Sequence, residues 1–457
     1  MVIVGLLLLS ILFIVLSTTR FHLHAFLSLL IAALFFGICS RMPLAEIISS
    51  IEAGFGDTLG KIGIVIIAGT IIGTFLEKSG GVYALAESIL KVIGKKNVTP
   101  AMAMIGFIVS IPVFADSGFV ILSPLNKTLT KRAGLSLATT AIALAFGLMV
   151  SHTLVPPTPG PIAAAGILGA DLAKVILLSI PVGLFTLLFA WFWASNVASR
   201  VHIDPNPELT EEQFSAHLKN APSAFRSFLP ILIPILLIVL RSVANYPVLS
   251  KAEGAPPLAW EENSFYHFIM FIGHPIIALL IGIGIAITLP KKFDKQMLSS
   301  TGWVGEGMMA AAMIIMITGA GGAFGEVLRN SEIKTVIGSA MKSDALRSFG
   351  LWLPFIASAI LRASQGSSTV ALITTASIVS PLLADMGLGS DIGKALAVLA
   401  IGAGSMVASH ANDSFFWVVT QMTGMDVKTG YKLQTSGTTL MGIFACTIIW
   451  IIGLIVL

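Results

Sequence analysis

The 457 residues are 56% apolar with 43 glycines besides, whereas Asp, Glu, Lys and Arg together make up only 11%, less than half the quarter or so usual in soluble domains. A water-soluble chain of this length would need about three domains, and their surfaces need charge that is missing here, so a soluble enzyme is excluded. The net charge of +4 does not indicate nucleic acid, because no Lys/Arg run is longer than a pair and the cations are scattered over short loops. Cys39 and Cys446 lie far apart in apolar stretches and support neither a disulfide framework nor a metal site.

In chain order, residues 2–17 are apolar but have no basic segment before them and no small-x-small cleavage site before Arg20, so they read as a retained first helix. A bilayer crossing needs roughly 20 mostly apolar residues, fewer when flanking residues adjust the fit. On that basis crossings are expected near 2–17, 21–40, 61–76, 136–170 (interrupted), 172–197, 227–246, 265–289, 306–325, 393–423 (interrupted) and 436–457. Two further apolar stretches, 100–126 and 350–384, are broken by the polar clusters Ala115-Asp116-Ser117-Gly118 and Ser364-Gln365-Gly366-Ser367-Ser368. If both are re-entrant hairpins, most cations fall on one side, among them Arg20, Lys78, Lys91, Lys95, Lys96, Lys127, Lys131, Arg132, Arg200, Lys219 and Arg226. Lys and Arg accumulate in cytoplasmic loops, so the hairpin layout puts both termini outside. The expected fold is an all-α polytopic membrane protein with about ten spanning helices, two of them interrupted, and two re-entrant helical hairpins.

The hydrophilic stretch 199–226 divides the chain into a first half, 1–198, and a second, 227–457, and reads as a cytoplasmic linker. The halves resemble each other. Phe107 to Gly118 aligns with Phe355 to Gly366, Ser123-Pro124-Leu125 with Ser380-Pro381-Leu382, Ser151-His152 with Ser409-His410, and Ala68-Gly69 plus Gly73 with Thr318-Gly319 plus Gly322. Four matches in one order indicate an internal duplication. In the hairpin layout the halves start from opposite faces, which makes it an inverted repeat, the architecture of secondary transporters whose sites lie where interrupted helices meet.

Ionisable residues within membrane spans are functional candidates by default. Here they gather at the interruptions: Asp116 in the first hairpin, His152 in the first broken helix, Arg362 in the second hairpin, and His410 with Asp413 in the second broken helix. The segment Ser151 to Pro161 carries four prolines and cannot continue as helix, and unwound backbone at that depth is tolerated only when buried or lining a water-filled cavity. It contributes Thr153, Thr158 and Gly160; its partner Ser409 to Ser414 contributes Asn412 and Ser414. The hairpin tips add Ser117 and Gly118, and Ser364, Gln365, Gly366, Ser367, Ser368 and Thr369, whose helix N-terminus is a natural carboxylate seat. Arg362 either holds a substrate carboxylate or neutralises Asp116 or Asp413. A carboxyl set among Phe114, Phe119 and Val120 can load a proton on one side and release it on the other, which makes Asp116 the first choice for coupling, with His152, His410 and Asp413 as alternatives. A sodium ion at Asn412, Asp413 and hairpin carbonyls is the competing scheme; an intramembrane hydrolase with Asp116 and Asp413 as its dyad, and a channel, are more distant alternatives. No zinc-protease, phosphate-loop or nucleophile-elbow motif is present, and Gly319 to Gly325 reads as a close helix contact.

On these blocks, Phe114 to Leu125, Pro156 to Pro161, Leu361 to Ala371 and Ser409 to Trp417, the chain resembles the gluconate permease family, gluconate:proton symporters of the wider ion-transporter superfamily, over nearly its whole length. The resemblance implies proton-driven uptake of a small anionic sugar acid across the bacterial inner membrane, no enzyme activity, no cofactor or metal, and a homodimer in which a transport domain moves against a fixed scaffold. It also exposes two departures. The family pattern has Glu where this chain has Asp116 and His where it has Thr158. Which acid is carried, and with which ion, therefore stays open between gluconate, its relatives, glycerate and a hydroxylated amino acid.

Overall fold

The computed structural model describes residues 2–21, 23–94, 97–205, 221–249, 260–331, 350–410 and 413–457. Most of the linker, and with it Lys219, lies outside that set, as do Lys95, Lys96 and Asn412. Every regular element among the described residues is helical. In chain order they are α1 (Val2–Thr19), α2 (Ala25–Cys39), α3 (Leu44–Lys78), α4 (Gly81–Ile93), α5 (Val98–Val109), α6 (Ala115–Arg132), α7 (Leu137–Leu154), α8 (Pro159–Leu168) and α9 (Leu172–Asn196). Beyond the linker come α10 (Ala224–Leu249), α11 (Ser264–Ile272), α12 (Pro275–Ile287), α13 (Trp303–Arg329), α14 (Trp352–Gln365), α15 (Ser368–Val379), α16 (Asp391–Gly404), α17 (Ser414–Thr423) and α18 (Val427–Val456).

The four interruptions have local causes. Helix α7 starts on Ser136, whose hydroxyl accepts the Ala138 N–H at 3.2 Å, and stops before Pro156-Pro157, with Val155 already extended. Pro159 then occupies the first turn of α8, where its missing N–H costs nothing, and Gly169 ends that helix in the left-handed conformation. In the second hairpin Gly366 adopts φ 75° and Ser367 caps α15 through Val370 N–H, so the turn takes two residues. In the first hairpin Pro112 and the extended Phe114 separate α5 from α6. The second broken helix resumes at Asp413, which caps α17 through Phe415 N–H at 3.1 Å.

Several boundaries differ from the sequence expectation. The crossing placed at 61–76 belongs to a 35-residue helix that starts at Leu44 and is about 52 Å long; its first half carries Glu46, Glu52 and Asp57, which hide it from an apolar count. That half is held by α13, where a Cβ on Gly54 would lie 2.5 Å from the Gly322 carbonyl oxygen. The glycines of 319–325 do make the close helix contact. The first hairpin extends beyond 126 to Arg132, the last helix begins nine residues earlier than 436, and the span at 265–289 is bent by 65° ahead of Pro275. Among the described residues five helices are long and apolar enough to cross a bilayer, or seven with each bent pair taken as one span; the hairpins and broken helices are assembled from shorter pieces.

The packing positions the interruptions. Each hairpin's first arm lies on the first segment of its own half's broken helix, α5 on α7 and α14 on α16. Gly147 and Gly404 make room for this: a Cβ on either would sit 2.0 Å from the Ala103 oxygen and 2.3 Å from the Phe355 oxygen, respectively. The second arms exchange halves, α6 packing on α17 and α15 on α8. That exchange brings all four breaks to one place.

Candidate functional site

The segments beyond the breaks, α6, α8, α15 and α17, start next to one another. Ser414 at the head of α17 donates to the Asp116 carboxylate at the head of α6 at 3.4 Å. A Cβ on Gly160, in the first turn of α8, would lie 3.7 Å from Cα of Thr369 in the first turn of α15. The first turn of a helix carries N–H groups with no intrahelical partner and the positive end of the dipole. Four such ends in one locus create a field that favours an anion, as a phosphate or carboxylate seat does.

Arg362 and Asp413 sit inside this ring, 1% and 3% exposed. The guanidinium donates to Asp413 Oδ2 and to the Gly366 carbonyl oxygen. Of the two roles open to Arg362, neutralisation of Asp413 is therefore the one realised in this conformation. Asp413 also accepts from the Ser409 hydroxyl and from Phe415 N–H. A buried pair needs such extra bonds, since desolvating two charges otherwise outweighs their attraction.

Other polar atoms in the same locus have no partner. Asp116 Oδ1, Ser151 Oγ, His152 Nδ1, Arg362 Nε and both amide atoms of Gln365 are buried without a hydrogen bond. Buried polar groups are nearly always satisfied, so this cluster of exceptions sets the locus apart from the packed interior around it. Asp116 keeps Oδ1 as a free acceptor although Oδ2 accepts from Ser414, and Gln365 keeps both its donor and its acceptor.

The remaining candidates divide. His410 donates from Nε2 to the Ala363 oxygen at 2.8 Å, tying the second break to the second hairpin. His152 is buried with its ring centre 6.0 Å from that of Phe114. Thr153, Thr158 and Ser364 donate their hydroxyl protons to backbone oxygens of their own segments, Met149, Val155 and Ile360, which leaves them acceptors only. Ser368 faces Met149 Sδ at 3.7 Å. Ser117 is half-exposed at the mouth of a cavity of about 210 Å³ that also touches Thr74, Glu77 and Glu306, and Gly118 packs under Leu148. All of Ser151 to Pro161 is buried, so the proline segment lies in the interior rather than on the surface.

Sequence reasoning missed two contributors. The first turns of α18 include a π-helical stretch, Tyr431–Thr435, that turns Gln434 inward, where its Nε2 donates to Ser409 Oγ at 3.1 Å and its Oε1 is unpartnered. Thr435 donates to the Ser409 carbonyl, and Thr438 accepts the Ser409 N–H at 3.2 Å. A polar run ahead of an apolar helix was the available signal. Less visible was the role of Gly69 and Gly73 on α3: a Cβ on Gly69 would lie 3.0 Å from the Pro157 oxygen, and one on Gly73 2.1 Å from the Pro112 oxygen. One helix face thus receives both breaks of the first half.

A profile of the GntP family permeases matches residues 1–455. The chain belongs to the GntP permease family. Its members are permeases rather than enzymes, and this one is a multi-pass membrane protein. It is 34% identical over 442 residues to a gluconate permease of Pseudomonas aeruginosa, covering 96% of this chain and 94% of that protein. It is 31% identical over 445 residues to the D-serine transporter DsdX of Escherichia coli, covering 97% and 96%. Among solved structures the fold is similar to the Alcanivorax borkumensis YdaH transporter, with a TM-score of 0.62 at 14% identity and 88% of each chain covered. The GntP assignment agrees with the blocks on which the resemblance rested, all of which fall at or beside the four breaks.

Proposed function

We propose that this GntP permease imports a small hydroxy-carboxylate of the gluconate class by proton symport across the inner membrane. The observation that carries the reading is the meeting of four helix N-termini around Asp116, whose Oδ1 has no partner, and Gln365, whose amide has none. The substrate carboxylate takes the first-turn N–H groups of α15 at Ser368 and Thr369, where Ser367 already serves Val370. Its hydroxyls meet Gln365, Thr153, Thr158 and Ser414; Asn412, expected from the sequence to join them, lies outside the described residues. A hydroxylated amino acid fits the same donors, and the kinship with a D-serine transporter keeps it in the panel.

Proton coupling through Asp116 is favoured over sodium at Asp413 because both oxygens of Asp413 already accept bonds and its charge is balanced by Arg362. The exchange of hairpin arms between halves, and the matched contacts of Gly147 and Gly404, support an inverted repeat. In that layout both termini face outward and the linker inward, and the hairpins and broken helices travel together past α3 and α13 within a homodimer. Counterflow in proteoliposomes with D-gluconate, D-glycerate and D-serine, at several pH values and with or without sodium, tests the substrate and the ion together. Uptake that requires sodium and ignores the pH gradient overturns the coupling assignment.

A further inference from the structure

At the end of α8 away from the breaks lies a cavity of about 340 Å³ lined by Lys61 of α3, Gly166 of α8, Arg241 of α10 and His274 ahead of α12. Arg241 also lines an adjoining cavity of about 110 Å³, together with Asn245 and Asp171. Asp171 is committed as the cap of α9, its Oδ1 accepting the Lys174 N–H at 2.8 Å. Among the described residues no carboxylate lies within ion-pair distance of Lys61 or Arg241. Two cations, one of them half-buried between helices, thus share a concave, largely apolar recess in which the described residues supply no counter-ion. The recess is of the size that holds small ligands. Helix α8 runs from it to the site, ten residues or about 15 Å.

We propose that this recess is a vestibular anion site, with Lys61 and Arg241 capturing the carboxylate of the incoming solute before it reaches the four helix N-termini. The proposal rests on the reading of the protein as a sugar-acid importer. A cationic cleft with low-dielectric walls raises the local concentration of an anion and its rate of entry, by tenfold or more at low ionic strength. The effect weakens as the Debye length falls to about 8 Å near 0.15 M salt. The same pair of cations also suits a lipid phosphate, so the source of the anion is part of the test.

Uptake of D-gluconate is measured in phosphatidylcholine proteoliposomes at 10 mM and 300 mM ionic strength for the wild type, Lys61→Gln, Arg241→Gln and Arg241→Lys. The expected result at low salt is a rise in KM of about three- to tenfold in each Gln variant with kcat unchanged, rescue in Arg241→Lys, and convergence of all four proteins at high salt. Lys61 is exposed, so Lys61→Gln decides the matter even where Arg241→Gln does not fold. An unchanged KM in Lys61→Gln overturns the vestibule while wild-type transport still stands. Wild-type liposomes that carry no gluconate refute instead the substrate reading on which it depends. A defect that appears only when phosphatidylglycerol is added overturns the proposal in favour of a lipid headgroup site.

Discussion

Replacing Asp413 by Asn removes one charge while keeping the shape of the side chain and its cap on Phe415, since Asn and Asp are equivalent N-caps. What remains is a guanidinium 1% exposed with neutral acceptors, the Gly366 carbonyl among them, and no counter-charge. Leaving one member of a buried pair uncompensated costs about 3–5 kcal/mol. Arg362→Met is expected near the lower end of that range, because the orphaned carboxylate retains the Ser409 hydroxyl and Phe415 N–H as donors. The double variant Arg362→Met/Asp413→Asn carries no uncompensated charge, so its cost falls well below the sum of the two singles, with a coupling of about 2–4 kcal/mol. Unfolding by SDS in mixed micelles, followed by circular dichroism, gives the three values against the wild type. Additivity within about 0.5 kcal/mol would mean that the two side chains do not form an isolated ion pair and that the electrostatic account of the ring is wrong.

Asp116→Asn is expected to abolish accumulation driven by a pH gradient while leaving gluconate counterflow intact; loss of both, or of neither, in the same proteoliposomes removes Asp116 from the coupling step. Gly147→Ala sets a Cβ 2.0 Å from the Ala103 oxygen, and such overpacking costs about 1–3 kcal/mol, whereas Gly5→Ala meets nothing within 4 Å; the two are compared by thermal unfolding, and equal midpoints would contradict the α5–α7 contact. The Lys174–Asp391 pair bridges the halves at 2.7 Å but its side chains are 25% and 51% exposed, so Lys174→Ala is expected to change stability by no more than about 1 kcal/mol, checked in the same SDS titration. Cross-linking Thr74→Cys on α3 to Val113→Cys in the first hairpin tip, both lining one cavity, in a Cys39→Ala background is expected to stop transport reversibly, and full activity with the link in place would show that the hairpin does not move past α3.

The membrane setting and the positions of the four breaks can be read along the chain, because they follow from local chemistry. Apolar composition excludes a water-facing surface, the prolines from Pro156 onward break the helix between Val155 and Thr158, and Gly366 takes the left-handed turn that most residues resist. The sequence also marks the charged residues at the breaks, since intramembrane ionisable groups are too costly to be incidental. What it left open was partnership. Helix packing brings Arg362 to Asp413, 51 positions away, and bonds Ser414 rather than Arg362 to Asp116. Likewise Gln434 and Thr435, read as lying ahead of a plain crossing, enter the ring because α18 begins early and contains a π turn. The polar half of α3 is helical because α13 offers Gly322 at close range, a fact no count of its own side chains contains. Local backbone preferences act within a few residues and can be read along the chain; pairing across hundreds of residues depends on which surfaces the packed helices bring together.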